Sequence, residues 1–429
     1  MKILLATMQF GEGYSQGAER YVATLAEGLA RRGHEPVILA GDPERCRTRL
    51  PLGALVSDDP RVLHYPTRGR WAVEGLSPND LLPLLRRERP DVVHLVNPAH
   101  IGVGLVGAAR ALGAAVVLTV VDFWWLCPKH TLWHARGETC DARVPWTECL
   151  RCVSAGDPRW WVRSLAGAPL LGRTLLPVLA FTKARWRGTP WTELRRWTRR
   201  QALLREVLAA ADAVIFLSQS GRALLGEAVP PERAHRIPVG LEARWWAARR
   251  GAPPAGPVAP ESLTLGFAGA LMPHKGAHVL LEALRRLGWT QTRVRIAGRG
   301  TDPSYDLQLR RLAEGLRAEI VGAVPSEQMP EFLAGLDLLV VPSIWPENQP
   351  QTVLEALAMN VPLVASRVAG VREVLPEDEY LFEPGSAESL AERLRAWCAA
   401  PRAASSAVCT ADDMVDRTLD LYVQIRERR

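Results

Sequence analysis

Two glutamates stand eight positions apart in the C-terminal half of the chain, Glu347 in a predicted loop and Glu355 in the helix after it. The apolar run before them predicts a buried strand over 338–341, and Thr352 is the expected N-cap of the helix. A helix at the carboxyl end of a parallel strand presents its first N–H groups to anions such as a diphosphate. A carboxylate behind those groups could accept hydrogen bonds from sugar or ribose hydroxyls. The spacing indicates a phosphosugar or nucleotide site, although two solvated glutamates in an ordinary strand–helix unit would look the same.

A cysteine cluster is the second candidate for chemistry. Cys127, Cys140, Cys149 and Cys152 fall within 26 residues, and the last two form a Cys-x-x-Cys pair. Four thiolates at such spacing suit a tetrahedral Zn²⁺ that stabilises a polar loop. An iron–sulfur cluster uses the same number of ligands, and four reduced thiols are the alternative without a metal. We expect a structural metal here.

Lys275 is a third candidate, because the chain contains only four lysines. It stands with Gly276 between a predicted strand at 263–267 and a predicted helix at 277–287. Its presence in a chain so poor in lysine favours a functional role for it.

Composition and patterning define the elements that must position these residues. The chain has 429 residues, 48% hydrophobic and 23% charged, which is typical of two globular domains. Strand, loop and helix signals alternate in both halves and predict α/β domains with doubly wound parallel sheets. The first five residues read as a strand rather than a signal peptide, and no apolar run of about 20 residues occurs. We expect a cytoplasmic protein.

The domain limits follow from composition. Residues 1–248 form the expected N-terminal domain, 249–261 have linker composition, and 262–409 form the expected C-terminal domain. Residues 410–429 are predicted to form a separate C-terminal helix.

The first domain contains two unusual segments. One is the cysteine-rich loop at 127–152. The other, at 159–208, is rich in tryptophan and arginine and predicts helices that pack on the domain. Two other interpretations stay open, because such a composition also favours binding to an anionic membrane surface or to single-stranded RNA. The net charge of +7 allows an acidic partner without identifying one.

The flanking sequence of the two glutamates adds a resemblance. Pro342-Ser343, Glu347, Glu355-Ala356 and the strand text at 361–366 resemble the Glu-x7-Glu signature of retaining glycosyltransferases of family 4. The resemblance implies the GT-B fold, two Rossmann-like domains that face each other across a cleft. It also implies that the C-terminal helix at 410–429 returns to the first domain. The amino-acid sequences around Gly17 and around Lys275-Gly276 are similar to two further segments of the family.

The resemblance also implies roles for single residues. Glu355 would hold ribose hydroxyls and Glu347 the hydroxyls of the donor sugar, with Asp122 at the reaction centre. The remaining donor-binding residues would contact the phosphates or the nucleotide base: Gly17, Lys275, Arg299, Val324, Thr352, Val353 and Leu354.

Several positions depart from the family pattern, among them Gln16, which replaces the first glycine before Gly17. Asn348-Gln349-Pro350 replaces the common Gly-Phe-Gly after the first glutamate. Val121 replaces a histidine before Asp122, and Ala270 replaces an arginine in the phosphate loop. Because Ala270 replaces an arginine, one cation fewer is expected to stabilise the anionic leaving group.

The implied activity is metal-independent transfer of a sugar, with retained anomeric configuration, from a nucleotide diphosphate sugar of unknown base. The expected acceptor is a glycan or a lipid-linked sugar in envelope polysaccharide biosynthesis, with peripheral contact to the inner face of the membrane. Two alternatives stay open. The positive net charge and the cysteine cluster favour an RNA-modifying glycosyltransferase. Val121 and Ala270 favour a non-catalytic nucleotide-binding protein of the same fold. Nucleic acid is otherwise not an expected partner.

Overall fold

The computed structural model describes residues 1–11, 17–42, 61–66, 78–99, 101–142, 144–157, 159–168, 171–172, 174–175, 178 and 199–429. The chain forms two compact units. The first comprises Met1–Pro238 together with Asp412–Arg429, and the second comprises Val239–Ala411. The division therefore falls before the linker predicted from composition at 249–261, and Pro253 and its neighbours belong to the second unit.

The described residues of the first unit build a seven-stranded parallel sheet in the order β3-β2-β1-β4-β5-β6-β7. The strands are almost wholly apolar because helices cover both faces of such a sheet. The order reverses between β1 and β4, where doubly wound sheets form their ligand crevice. The strands are β1 Lys2–Thr7, β2 Glu35–Asp42, β3 Val62–Pro66, β4 Val92–Leu95, β5 Ala115–Val120, β6 Ala213–Phe216 and β7 Ala234–Arg236.

Helices follow the strands of this unit: α1 Gly17–Arg31, α2 Pro78–Glu88, α3 Gly104–Ala111, α4 Trp146–Ser154, α5 Trp160–Gly167, α6 Arg200–Ala210 and α7 Gln219–Leu225. The apolar core lies between these helices and the sheet. Half of the predicted Trp/Arg-rich helical segment at 159–208, including 179–198, lies outside the described residues.

The second unit contains a six-stranded parallel sheet in the order β10-β9-β8-β11-β12-β13. Its order reverses between β8 and β11. The strands are β8 Thr264–Ala268, β9 Arg293–Ala297, β10 Ala318–Gly322, β11 Leu338–Val341, β12 Leu363–Ser366 and β13 Leu381–Phe382. The helices are α8 Arg244–Ala247, α9 Ala277–Leu287, α10 Pro303–Ala313, α11 Met329–Ala334, α12 Gln351–Met359, α13 Ala369–Arg372 and α14 Ala387–Ala399. The prediction of doubly wound α/β domains is confirmed.

The last helix, α15 Ala411–Glu427, packs on the first unit. The Tyr422 hydroxyl lies 2.5 Å from Nδ1 of His94 on β4, and both residues are fully buried. Gly28 on α1 leaves room for Val415, because a Cβ at position 28 would lie 2.4 Å from a Val415 methyl carbon. In the described part of the chain, every helix is too short or too polar to cross a membrane.

Candidate functional site

Lys275 and Glu347, two of the predicted site residues, form an ion pair. Lys275 follows β8 and Glu347 follows β11, so the reversal of strand order brings them together. Lys275 Nζ lies 2.7 Å from Glu347 Oε1, and the same oxygen accepts hydrogen bonds from Ser343 Oγ at 2.7 Å and Trp345 Nε1 at 2.8 Å. Glu347 is 5% exposed, and the Lys275 ammonium lies 4.7 Å from the centre of the Trp345 ring. Three donors thus converge on one oxygen of this buried carboxylate.

Two glycines allow the loops that carry this pair to approach each other. Gly276 has a φ of +75°, and a Cβ there would lie 1.9 Å from the carbonyl oxygen of Pro342. A Cβ at Gly370 would lie 2.0 Å from the carbonyl oxygen of Glu347. Only glycine fits at either position, so backbone contact from both sides fixes where the Glu347 carboxylate lies.

Helix α12 begins two residues earlier than predicted. Thr352 is not its N-cap: Pro350 occupies that position, and the Thr352 hydroxyl instead donates to the Ala268 carbonyl at 3.4 Å. The N–H groups of Val353 and Leu354 donate to the Pro350 carbonyl at 3.1 and 3.3 Å. Of the three predicted anion-binding N–H groups, that of Thr352 therefore lacks an acceptor among the residues described.

Glu355 lies on the inward side of α12 and is 2% exposed. Burial of a carboxylate is costly unless a specific group compensates it. Its position one helical turn behind Thr352 matches the predicted arrangement of an anion site with a carboxylate behind it.

Arg299 and Val324 stand on neighbouring loops of the same sheet edge. Arg299 is exposed in the loop after β9, where its carbonyl accepts from the Leu271 N–H at 3.1 Å. Val324 is half-buried and lies two residues beyond β10, which ends at Gly322.

Asp122, the predicted catalytic residue of the first unit, lies just beyond β5 and is held by neighbours on three sides. Its Oδ2 lies 3.1 Å from Asn97 Nδ2 and 3.0 Å from His130 Nδ1, and its Oδ1 accepts from the Trp124 N–H at 2.8 Å. Sequence reasoning missed both Asn97 and His130. The position of Asn97 at the end of the adjacent strand β4 could have revealed it. Gly17 begins α1 at the end of β1, and the loop before it, 12–16, lies outside the described residues.

The four predicted metal-ligating cysteines line one cavity of about 20 Å³. None of them forms a disulfide. Burial raises the pKa of Cys149 to about 12 and also raises the pKa values of Cys140 and Cys152. Across the described part of the chain, no group of three or more His, Cys, Asp or Glu side chains is arranged to hold a metal ion. The predicted zinc therefore has no preformed coordination geometry.

Comparison with known families gives two matches. The model described as Glycosyltransferase Family 4 matches residues 15–155, and that described as Glycosyl transferases group 1 matches residues 262–399.

Relatives match over different lengths. Glycogen synthase of Mycobacterium tuberculosis is 31% identical over 383 residues, 87% of this chain and 80% of that protein. The GDP-mannose-dependent alpha-mannosyltransferase of the same species is 28% identical over 366 residues, 84% of this chain and 77% of that protein. The putative teichuronic acid biosynthesis glycosyltransferase TuaC of Bacillus subtilis is 33% identical over 129 residues, 30% of this chain and 31% of that protein. The chain thus spans less than a third of TuaC, and 24% of a further relative.

Solved structures share the fold over the whole chain. A glycosyltransferase from Rickettsia africae covers 100% of this chain and 99% of that one, with a TM-score of 0.61 and 15% identity. Anabaena Alr3699/HepE in complex with UDP-glucose covers 100% and 98%, with a TM-score of 0.55 and 16% identity.

Proposed function

Because this chain belongs to glycosyltransferase family 4 and has the GT-B fold, we propose that it is a retaining transferase that uses a nucleotide diphosphate sugar. The Lys275–Glu347 pair at the β8/β11 reversal carries the proposal. It supplies a cation for a diphosphate and a carboxylate for sugar hydroxyls within one hydrogen bond of each other. A nucleotide diphosphate sugar requires this combination of charges.

The donor is proposed to lie along the edge where β8, β11 and α12 meet. Lys275 and the Thr352 N–H bind the diphosphate, Glu347 binds the transferred sugar, and Glu355 binds the ribose. The loops of Arg299 and Val324 border the base. UDP-glucose in the HepE complex and GDP-mannose in the name of the mycobacterial relative support a nucleotide sugar donor and leave the base open.

In this proposal Asp122 contacts the reacting sugar or the acceptor hydroxyl, with its orientation set by Asn97 and His130. Gly17 borders the acceptor or the phosphates. The transfer itself is independent of a metal ion, and any metal at the four cysteines is structural.

We propose a glycan or lipid-linked acceptor in envelope polysaccharide assembly, as the name of TuaC suggests. Peripheral contact with an anionic membrane surface on the cytoplasmic side is part of this proposal. Large apolar side chains are exposed in the described part of 160–178: Trp160, Leu171, Leu175 and Val178. Such side chains together with arginines favour an interfacial location.

The direct test measures nucleotide binding and turnover. UDP-, GDP- and ADP-sugars are added to the full chain, and the shift in melting temperature and the release of nucleotide are recorded. We expect one base to stabilise the protein, with slow nucleotide release that an acceptor accelerates. Retention is read from the anomeric configuration of the product by NMR.

Glu355→Gln is the matching site variant, and Glu388→Gln, exposed on α14 of the same unit, is its control. The first should abolish stabilisation by the donor, and the second should leave it unchanged. Normal donor binding by Glu355→Gln would refute the assignment of the site. Stabilisation without turnover under any condition would favour the non-catalytic alternative.

A further inference from the structure

The cavity lined by the four cysteines has the size of a single-atom site. Its volume is about 20 Å³, and one water molecule needs roughly 10–15 Å³ measured in this way. It therefore has room for one ion.

Three different pieces of local structure bring the sulfurs to this cavity. Cys127 closes a turn in which its N–H donates to the Phe123 carbonyl at 2.7 Å. Cys140 follows a short hairpin and donates to the Leu132 carbonyl at 2.7 Å. Cys149 and Cys152 lie one turn apart on α4, where side chains three residues apart share a face. Four cysteines from three elements thus line one cavity without forming a disulfide.

Other polar side chains at the cavity are already engaged. The Glu148 carboxylate accepts from Arg151 Nη1 at 2.8 and 2.9 Å. His134 Nδ1 accepts from the N–H and the Nε of Arg136, each at 3.2 Å, so its proton resides on Nε2 and leaves it no free lone pair. Lys129 Nζ donates to the Trp133 carbonyl at 3.2 Å. The sulfurs are the donors that remain for an ion.

Arg200 brings a buried cation to the segment that carries Cys127. It is 5% exposed, donates to the Trp124 carbonyl and lies 4.8 Å from the centre of the Trp124 ring. A Zn²⁺ ion with four thiolates would carry a net charge of about −2, which is the sign of charge that stabilises a buried guanidinium.

The surrounding loop contains residues in an unfavourable backbone conformation. His130, Leu132 and Ala142 have φ values of +68°, +50° and +66°. Each such residue costs on the order of 1–3 kcal/mol and persists only where other contacts impose it. The apolar cluster beside the loop contains four buried side chains, Leu150, Val153, Val162 and Ala166. A metal bound by this loop would add to the contacts that impose its conformation.

We propose that Cys127, Cys140, Cys149 and Cys152 together bind one Zn²⁺ ion that fastens the loop after β5 to α4. The described residues hold no preformed ligand group, so binding requires the cysteine side chains to turn toward the cavity until each sulfur is about 2.3 Å from the metal. Four S–H protons pass to solvent as four Zn–S bonds form. The site stabilises the segment that carries Asp122 and His130 and takes no part in transfer.

The first experiment measures metal in the full-length protein, purified without a metal-affinity tag or chelator. Mass spectrometry of elements should find about one zinc per chain, with iron and sulfide absent. Exchange for Co²⁺ should give sulfur-to-cobalt charge-transfer bands and the intense visible bands of a tetrahedral tetrathiolate site. Both readouts are independent of donor, acceptor and activity.

Cys152→Ser is the matched variant, and Cys409→Ser, half-buried in the second unit, is its control. We expect the first to lose zinc and the visible cobalt bands, and the second to retain both. Native protein with less than stoichiometric zinc and four thiols that react with a thiol reagent would overturn the proposal. Iron with sulfide, or a cobalt spectrum of octahedral type, would overturn it equally. If Cys152→Ser does not fold, the metal content and cobalt spectrum of the native protein still decide.

Discussion

At the level of single residues, the contact between Lys275 and Glu347 predicts opposite effects on nucleotide binding. Lys275→Met removes the cation and should weaken binding of the free nucleoside diphosphate. Glu347→Gln releases Lys275 from its ion pair and should leave that affinity equal or higher. Transfer should fall in both variants, by roughly 10²–10³-fold, as when one stabilising donor is removed from an active site. Calorimetry with free nucleotide and steady-state kinetics measure the two effects separately.

Arg286→Ala is the control for these variants, since its ion pair with Glu388 is exposed on the same unit. It should change neither quantity, because exposed pairs contribute little. If Glu347→Gln weakened nucleotide binding as much as Lys275→Met, the two residues would act on the same part of the ligand, and the division of roles would be wrong.

His94 predicts a pH dependence of stability. Complete burial lowers its pKa from 6.5 to about 3, so it is neutral in the folded state. Below about pH 6.5 the imidazole binds a proton in the unfolded chain but not in the folded state. The free energy of unfolding therefore falls as the pH falls from 6.5 toward 3. At pH 5 the loss is about 2 kcal/mol.

Urea unfolding of the native protein and of His94→Gln at pH 7 and pH 5 tests this contribution. The variant should lose less stability between the two pH values than the native protein. Tyr422→Phe keeps the buried imidazole and should retain the native pH dependence. An unchanged dependence in His94→Gln would show that other groups cause it.

The residue types of the site could be predicted from sequence, but their contacts could not. The spacing of Glu347 and Glu355 and the rarity of lysine were sufficient to select the residues around α12. That Lys275 binds Glu347 depends on two loops separated by 72 positions, which only the strand order brings together. His130 was missed because its bond to Asp122 depends on a left-handed residue in an irregular loop.

At the level of elements, Gly276 joins the phosphate loop to the loop of Glu347. Gly276→Ala should destabilise the second unit by several kcal/mol, because strain at φ +75° adds to a Cβ contact of 1.9 Å with the Pro342 backbone. Gly288→Ala is the matched control, with φ +69° and no atom within 4 Å of the added Cβ. It should cost about 1 kcal/mol.

The difference between these two variants, measured by urea unfolding, isolates the close approach of the loops. Gly276→Ala should also weaken donor binding, since Pro342 must move and carries Ser343 and Glu347 with it. Equal stability losses in the two variants would show that the loops separate without cost.

Strands and helices were predicted where the hydrophobic periodicity is strong, but some of their first and last residues were predicted wrongly. The alternation of apolar strands with helices indicated both sheets, because parallel strands are buried on both faces. Thr352 was expected to cap α12, but its hydroxyl bonds to the neighbouring strand β8, and Pro350 takes the capping position. A hydrogen bond to a neighbouring strand, which competes with capping of the helix, cannot be predicted from the local sequence.

At the level of the whole molecule, the C-terminal helix α15 belongs to the first unit although the second unit precedes it in sequence. Composition placed the domain boundary in the Pro/Gly-rich stretch at 249–261. Contacts place it at Pro238, because the intervening residues pack on the second unit, where Arg250 N–H donates to the Met359 carbonyl at 2.8 Å. Linker composition reports local flexibility and carries no information on such packing.

Tyr422 provides a test of how α15 supports the first unit. Its side chain is fully buried and bonded to His94, so Tyr422→Ala leaves both a cavity and an imidazole without its partner. We expect a loss of about 3–5 kcal/mol, the usual cost of removing a buried aromatic ring. Val423→Ala, on the neighbouring position of the same helix and 40% exposed, should cost less than about 0.5 kcal/mol. Hydrogen exchange measured by mass spectrometry would locate the effect: amides of β1, β4 and β5 should lose protection in Tyr422→Ala, and those of β8, β11 and β12 should keep it. Equal loss in both sheets would mean that the two units unfold as one cooperative body, and α15 would then stabilise the whole chain rather than the unit on which it packs.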